Sequence, residues 1–586
     1  MGNRNSLFRL LIYNFSVIVA FLNMRKAVLI SFLITVASFC SCVSWGQEIP
    51  FMRQIDSLDR IKPEKISCYK PSGKAYNIKI RNQKQFDGLN ELITKAIVGG
   101  YTNIRVKIAK GVYHYREYHI LRENEKAENV SITIEGRNAT ITSDIKYGST
   151  LDDDYTDLEF ADGLVEIVDL DKRMCFMPYK NTFDTKQRKR YKTLQISQWY
   201  RSVKCEVVSI NDRGVYFIAP SLYFDNQFGR DGYNVNYDYL YQGINPRFRL
   251  IDPSKERDYK ASRFIALVYS SFASFTVKGL HFASNKSGAS LISTSHLDVK
   301  QMVVEKCSFA KIRGSVANIS CTDNVVIRKN TIYNTEGNEI VICNGSRNIH
   351  VVNNLFDNCG QSITNTFCIT CNEAQYFVAE NVFRDFGYGA IGVGIWYGHE
   401  KNKESTGIIE HNEMYYTPNY FKNKSKHTLM DSGAIYSWTQ NDGTIIRYNY
   451  IHDYVGMGDN RGIFCDDGAS NLKIYGNIIL NTPNSYSIDS RFAKDKKEGV
   501  RCNVNNFIAS NIIDNRIRFM GYEKESRHCI KGSNIVLNTK GKSLDDIVGN
   551  LDKIEPDIIV ADFSYKEGKF TVPQEYQNMV KKVITK

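Results

Sequence analysis

One tail recurs along the second half of this chain: RKNTIYN, VNNLFDN, AENVFRD, EHNEMYY, RYNYIHD, YGNIILN, ASNIIDN and GSNIVLN. Its reference asparagines are Asn330, Asn354, Asn381, Asn412, Asn449, Asn477, Asn511 and Asn534, spaced by 24, 27, 31, 37, 28, 34 and 23 residues. A unit of about 23 residues with variable insertions marks a solenoid, in which each coil packs only on its neighbours. Strand-like triplets such as VVI, HVV, TII and LKI precede the asparagines, and no apolar pattern of helical length fits between them. Each coil is therefore read as short strands and turns stacked into parallel sheets. One asparagine per coil at a fixed place fits a hydrogen-bonded column tied to turn backbones. These asparagines are read as structure and not as ligands.

The N-terminal part fits the same architecture. FDGLNELITKAIVGG puts Phe86, Leu89, Ile93 and Ile97 on one helical face. A helix there would cap the open end of the solenoid, whose sheet edges need covering. NIRVKIAKGVYH alternates Ile104, Val106 and Ile108 as a first strand, and SITIEGRNATIT supplies two more. Residues 155–265 break the rhythm, and a turn at Asn211-Asp212-Arg213-Gly214 separates two strands there. This stretch reads as an inserted antiparallel β subdomain. The expected plan is a signal segment (1–46), an N-terminal cap with the first coils (47–154), the insert (155–265), the main solenoid (266–540) and a C-terminal cap and tail (541–586).

The asparagines also supply a register. Ile435 lies 14 positions before Asn449, and Ile463 lies 14 before Asn477. GAIYSWTQ then lies over GIFCDDGA, with Ala434, Tyr436 and Trp438 matching Gly462, Phe464 and Asp466. Ile435 and Ser437 match Ile463 and Cys465, a small and apolar set that suits the interior. The first set therefore points outward. With three inserted residues in the preceding coil, Ile395 matches Ile435. Trp396 then stacks on Tyr436 and Phe464, Gly398 joins the column of Trp438 and Asp466, and His399 and Glu400 follow in the turn. Coils about 4.8 Å apart would gather Trp396, His399, Glu400, Tyr436, Trp438, Asp466 and Asp467 on one outer patch. Aromatic faces cover the apolar side of a pyranose, and paired carboxyl groups are the usual machinery of glycoside hydrolysis. Against this, Asp467 before Gly468 is ordinary turn chemistry. His452 and Asp453, after the asparagine tail, also read as turn residues.

The repeat as a whole resembles the right-handed parallel β-helix of pectin-lyase-like proteins. The run DSGAIY, NYIHD, GIFCDDG, NLKIYGNII resembles glycoside hydrolase family 141, whose activities include α-L-fucosidase and xylanase. The resemblance implies an all-β, right-handed parallel β-helix. It also implies two catalytic aspartates, which map onto Asp431 and Asp466. Asp431 stands seven positions before the column of Asp466, roughly 20 Å along a straight strand. The pair forms only if the chain bends near Ser432-Gly433. Otherwise Asp431 stacks on Asp459, and Asp466 works with Glu400 or a loop carboxylate.

Two other readings share this fold. A polysaccharide lyase would use Arg461 or Arg491 with the acidic turn, and Ca²⁺ would be its cofactor; the hydrolase needs none. A non-catalytic glycan-binding protein would bind a glycan without cleaving it, and against that reading stand the aromatics and carboxylates gathered in adjacent coils. The net charge of +13 suits an acidic glycan weakly, and without a dense Lys/Arg run nucleic acid is not expected as a partner. Residues 24–46 carry Arg25 and Lys26, then an apolar run too short to span a membrane comfortably, then Ser44 and Gly46 before Gln47. They read as a secretory signal, with Met24 as an alternative start and Cys42 as an alternative lipid anchor. An exported monomer follows. The twelve cysteines beyond residue 46 show no zinc-type pairing, since Cys368 and Cys371 form one CxxC without a second. They read mostly as small buried hydrophobes, with room for a few disulfides.

Overall fold

The computed structural model describes most of residues 54–143, 264–395, 405–454 and 461–536, parts of 155–251, and short pieces between 558 and 570. The signal segment, most of the C-terminal tail and residues 396–404, 421–431, 455–460 and 491–504 lie outside the described residues.

The chain winds into a parallel β-helix with three sheets. One coil shows the rule. Val325–Arg328 joins a 13-stranded sheet, here sheet I; Thr331–Tyr333 joins a second of 13 strands, sheet II; Ile340–Cys343 joins a ten-stranded sheet III. Alternation turns Ile327, Ile332, Ile340 and Ile342 inward, where all are buried. The next coil places Val351 on Ile327, Phe356 on Ile332 and Ile369 on Ile340. Phe356 and Phe383 then stack at 4.7 Å inside the bore.

The asparagine column forms as the spacing requires. Asn381 donates through Nδ2 to Asn412 Oδ1 at 3.0 Å, and Asn412 to Asn449 Oδ1 at 3.0 Å. The same oxygens accept backbone N–H groups at 3.1 Å, from Asn381 and Asn412 respectively. The column runs unbroken from Asn330 to Asn534, and every member is buried. The residue before each asparagine from Asn330 to Asn511 holds a left-handed backbone, for example Glu380 (φ 57°), His411 (φ 54°) and Tyr448 (φ 55°). Non-glycine residues adopt this at a cost, which the satisfied column offsets.

At the N-terminal end the expected single helix is two. Gln83–Asp87 is capped by Asn82, whose side chain accepts from Gln85 N, and Leu89–Val98 follows after Gly88. Phe86, Leu89, Ile93 and Ile97 are all buried. The insert is a seven-stranded antiparallel sheet, with Arg201–Ile210 and Gly214–Ile218 joined at Asn211. Asn211 Oδ1 accepts from the backbone N–H of Arg213 and Gly214, at 2.8 and 3.0 Å. The insert leaves the stack continuous, because Phe272–Lys278 pairs in parallel with Ser131–Gly136. Near the C-terminus Ile558–Ile559 closes sheet II by antiparallel pairing with Ile535–Val536.

One contact has no counterpart in the sequence reading. The segment 54–70 straps the outside of sheet I. Arg447, fully buried, donates to the carbonyls of Leu58 and Ile61 at 2.8 and 3.1 Å and to Glu410 Oε2 at 2.6 Å. The Tyr448 and Tyr475 hydroxyls donate to Asp59 at 2.6 and 3.0 Å. Further along, Tyr69 N donates to Gln301 Oε1 at 3.1 Å.

Candidate functional site

Sheet III carries the candidate site on its outer face. Gly433–Gln440 pairs with Arg461–Ser470 in the register counted from the asparagines: Ile435 on Ile463, Tyr436 on Phe464, Trp438 on Asp466. The match ends there. Gln440 pairs with Ser470, so Asp467 lies in a bulge before Gly468 (φ 84°).

The register on the other side differs from the expectation. Ile391, not Ile395, pairs with Ile435, Gly392 with Tyr436, and Gly394 with Trp438. Ile391 lies 21 positions before Asn412, because the extra residues follow the strand and exceed the three allowed for. The columns assigned to Trp396 and Gly398 therefore belong to Gly392 and Gly394. Trp396, His399, Glu400 and Asp431 lie outside the described residues, as does Asp459.

The glycines explain how the wall is built. A Cβ on Gly392 would lie 2.7 Å from the Phe367 ring, and one on Gly394 would lie 2.8 Å from Trp438 Nε1. Both are sub-contact distances, so the rings lie flat across a floor with no side chains. Phe367, Tyr388 and Trp438 form an aromatic cluster with Tyr436 packed against it, separate from the bore. Phe367 and Trp438 are roughly parallel at 5.9 Å, and Tyr388 meets Phe367 edge-on at 5.3 Å. Such arrangements suit ring quadrupoles.

Asp466 stands at the edge of this wall, 8% exposed. The Tyr436 hydroxyl donates to its Oδ2 at 2.5 Å. Tyr436 is braced edge-on by Phe464 at 4.8 Å, and the Arg461 guanidinium lies 4.0 Å from the Phe464 ring centre. Arg461 Nε donates to Asp489 Oδ2 at 2.7 Å, and both residues are fully buried. Asp489 occupies the Phe464 column on the next strand. It lies diagonal to Asp466 on the same face, with Cα atoms roughly 8 Å apart from strand geometry. A buried pair of this kind is hard to open, so Arg461 is committed to Asp489 and does not suit the base role of the lyase reading. Arg491 lies outside the described residues.

Sequence reasoning missed Phe367, Tyr388 and Asp489. The signal for Asp489 was present, since SYSIDS repeats the strand pattern and Ile488 pairs with Ile463. The long insertion before Asn511 hid it from a count of 14. His452 ends the strand Tyr450–His452 of sheet II and so is not a turn residue; its ring bonds Asp453 at 2.8 Å, and Asp453 (φ 47°) begins the turn. None of the ten described cysteines forms a disulfide, and Cys307, Cys359, Cys368, Cys371 and Cys465 are buried. Burial raises the thiols of Cys307 and Cys371, which keeps them protonated and inert. Among the described residues no cluster of three His, Cys, Asp or Glu side chains could hold a metal.

No protein-family model and no curated protein matches the sequence. Solved structures do resemble it. One is titled a glycoside hydrolase, 10% identical with a TM-score of 0.40, covering 70% of this chain and 94% of that one. Another is the mannuronan C-5 epimerase AlgE4 A-module of Azotobacter vinelandii, 10% identical with a TM-score of 0.41, covering 77% and 90%. A third is a family 28 exopolygalacturonase of Yersinia enterocolitica, 12% identical with a TM-score of 0.23, covering 79% and 69%. Likeness at this level concerns the winding of the chain and assigns no reaction.

Proposed function

We propose that this protein is an exported glycoside hydrolase that cleaves a plant or host polysaccharide along the outer face of sheet III. The observation that carries this reading is Asp466, held by the Tyr436 hydroxyl at 2.5 Å beside Trp438 on a glycine-floored aromatic wall. Phe367, Tyr388 and Trp438 are buried beneath this face and would back Tyr436, which is partly exposed and would meet the apolar face of a sugar, and Asp466 would serve as one of the two carboxyl groups. Asp431 is the proposed second carboxyl, from the resemblance to glycoside hydrolase family 141, which also suggests α-L-fucosidase- or xylanase-like action. A paired-carboxylate mechanism needs no metal.

The test is a screen of the full chain on plant and host glycans, with chromatographic analysis of products. Replacing Asp466 with Asn should lower cleavage by about 10²–10⁴-fold while the unfolding transition stays in place. Unchanged cleavage in that variant would remove Asp466 from the mechanism. An unsaturated, ultraviolet-absorbing product would transfer the site to a lyase. Binding without any cleavage would leave a glycan receptor.

A further inference from the structure

The strap leaves a groove of about 410 Å³ between itself and the outer face of sheet I. Its apolar surface comes from Leu58, Ile61 and Pro63 on the strap side and from Phe377, Ile408 and Ile445 on the sheet side. The last three occupy one outward column, continued by His350 before Phe377 and by Lys473 after Ile445. The charged groups around the groove balance: Lys62 and Lys473 against Glu64 and Asp442.

Two lining residues carry a polar atom sealed from solvent with no hydrogen-bond partner. One is Asn348 Oδ1 and the other His350 Nε2. The Asn348 amide nitrogen is engaged, donating to Asn324 Oδ1 at 2.8 Å. Burial pushes the His350 imidazole below its usual range, against a backbone hydrogen bond and the charge of Glu64, which favours the neutral ring. A sealed polar atom without a partner is costly. Both residues line the groove, and the His350 ring meets Phe377 edge-to-face at 5.2 Å.

The geometry points to a second carbohydrate site, distinct from the face of sheet III, in which the groove under the strap takes a neutral sugar unit of a longer glycan. Phe377 borders the groove for the apolar side of a pyranose, and a sugar hydroxyl that moved in against Asn348 or His350 would satisfy an atom that is otherwise orphaned. Balanced charge around the groove gives a uronate no advantage over a neutral residue. The site sits on a different sheet from Asp466, so it would hold a polysaccharide while another stretch of it is processed, raising the local concentration of substrate.

The test uses the Asp466→Asn chain, which would leave oligosaccharides uncut, in calorimetric titrations with xylotetraose, cellotetraose and tetragalacturonate. At least one neutral tetramer should bind. Adding Phe377→Ala should weaken that binding tenfold or more, and adding Gln375→Trp, a bulky residue at the exposed mouth, should do the same without touching the core. Trp438→Ala should leave the binding in place. The proposal is overturned if no neutral tetramer binds. It is also overturned if tetragalacturonate binds best, or if Trp438→Ala abolishes binding while Phe377→Ala and Gln375→Trp leave it unchanged. None of these outcomes depends on whether the protein cleaves glycans, so the hydrolase reading stands or falls separately.

Discussion

Between sheets I and II the chain turns in the same two residues in coil after coil, whereas the segments around sheet III follow no fixed length. Lys329-Asn330, Glu380-Asn381, Tyr448-Asn449 and Ser510-Asn511 each fill the first turn completely. The connections out of sheet III range from two residues after Ser470 to sixteen after Ser490. Apart from the insert, the connections into it range from three residues before Ile517 to seventeen before Gly433. The difference is one of hydrogen bonding. Each asparagine satisfies the coil on either side, so an inserted residue would cut the column and orphan buried groups. Among the described residues, the ends of sheet III carry no such unbroken column. Chain can be added there, and outer side chains can change without disturbing the bore.

The strongest way to break this contrast is to remove one asparagine. Asn412 donates to Val378 O, Glu410 O and Asn449 Oδ1 and accepts from Asn381. Replacing it with Ala strands several buried groups at about 1–3 kcal/mol each. A loss of about 5 kcal/mol is expected in denaturant unfolding. A loss under about 1 kcal/mol would mean that the column is decoration.

A buried polar group at the variable end should behave differently. Glu339, in the segment entering sheet III, is fully buried. It accepts from Thr335 Oγ1 and from Gly360 N on one oxygen, while Oε2 has no partner. Burial pushes its pKa up to about 8 against an ordinary 4.5, despite those two bonds. The folded state therefore keeps a proton that the unfolded chain loses, so stability is full below pH 4.5 and falls as pH rises to 8. The loss across that window is on the order of 5 kcal/mol. Glu339→Gln should flatten this slope, read as unfolding free energy from pH 4.5 to 8.5. An unchanged slope would put the pH dependence on other groups.

The smallest effect sharpens the contrast at the candidate site. Gly394→Ala would bring a Cβ within 2.3 Å of the Trp438 carbonyl oxygen and 2.8 Å of its indole nitrogen. Overpacking of this kind costs about 2 kcal/mol. Tryptophan fluorescence and near-ultraviolet dichroism should change while the far-ultraviolet strand signal persists. Identical spectra would show that the floor is not tight.

How legible the site was depended on how far each residue stands from an asparagine with a constant offset. Tyr436, Trp438 and Asp466 were found because Asn449 and Asn477 both lie 14 positions beyond the matching isoleucines. The strand before Gly433–Gln440 takes another register than the count implies, and Asp489 escapes the count, because insertions separate these strands from Asn412 and Asn511. A periodic signal fixes register only where the period holds.

The amino-acid sequence by itself determined the winding, the inward set of isoleucines, the asparagine column and the Trp438–Asp466 step. All of these arise from residues that repeat over one coil and pack on the next. Only the tertiary structure decided that Gly392 and Gly394 make room for Phe367 and Trp438, that Asp489 engages Arg461, and that Arg447 holds the carbonyl of Leu58 across 389 positions. Those contacts depend on loop lengths and long-range docking. A side chain that meets its partner hundreds of residues away leaves no period behind, since the partner's identity is set by shape and desolvation at the place where the two surfaces close.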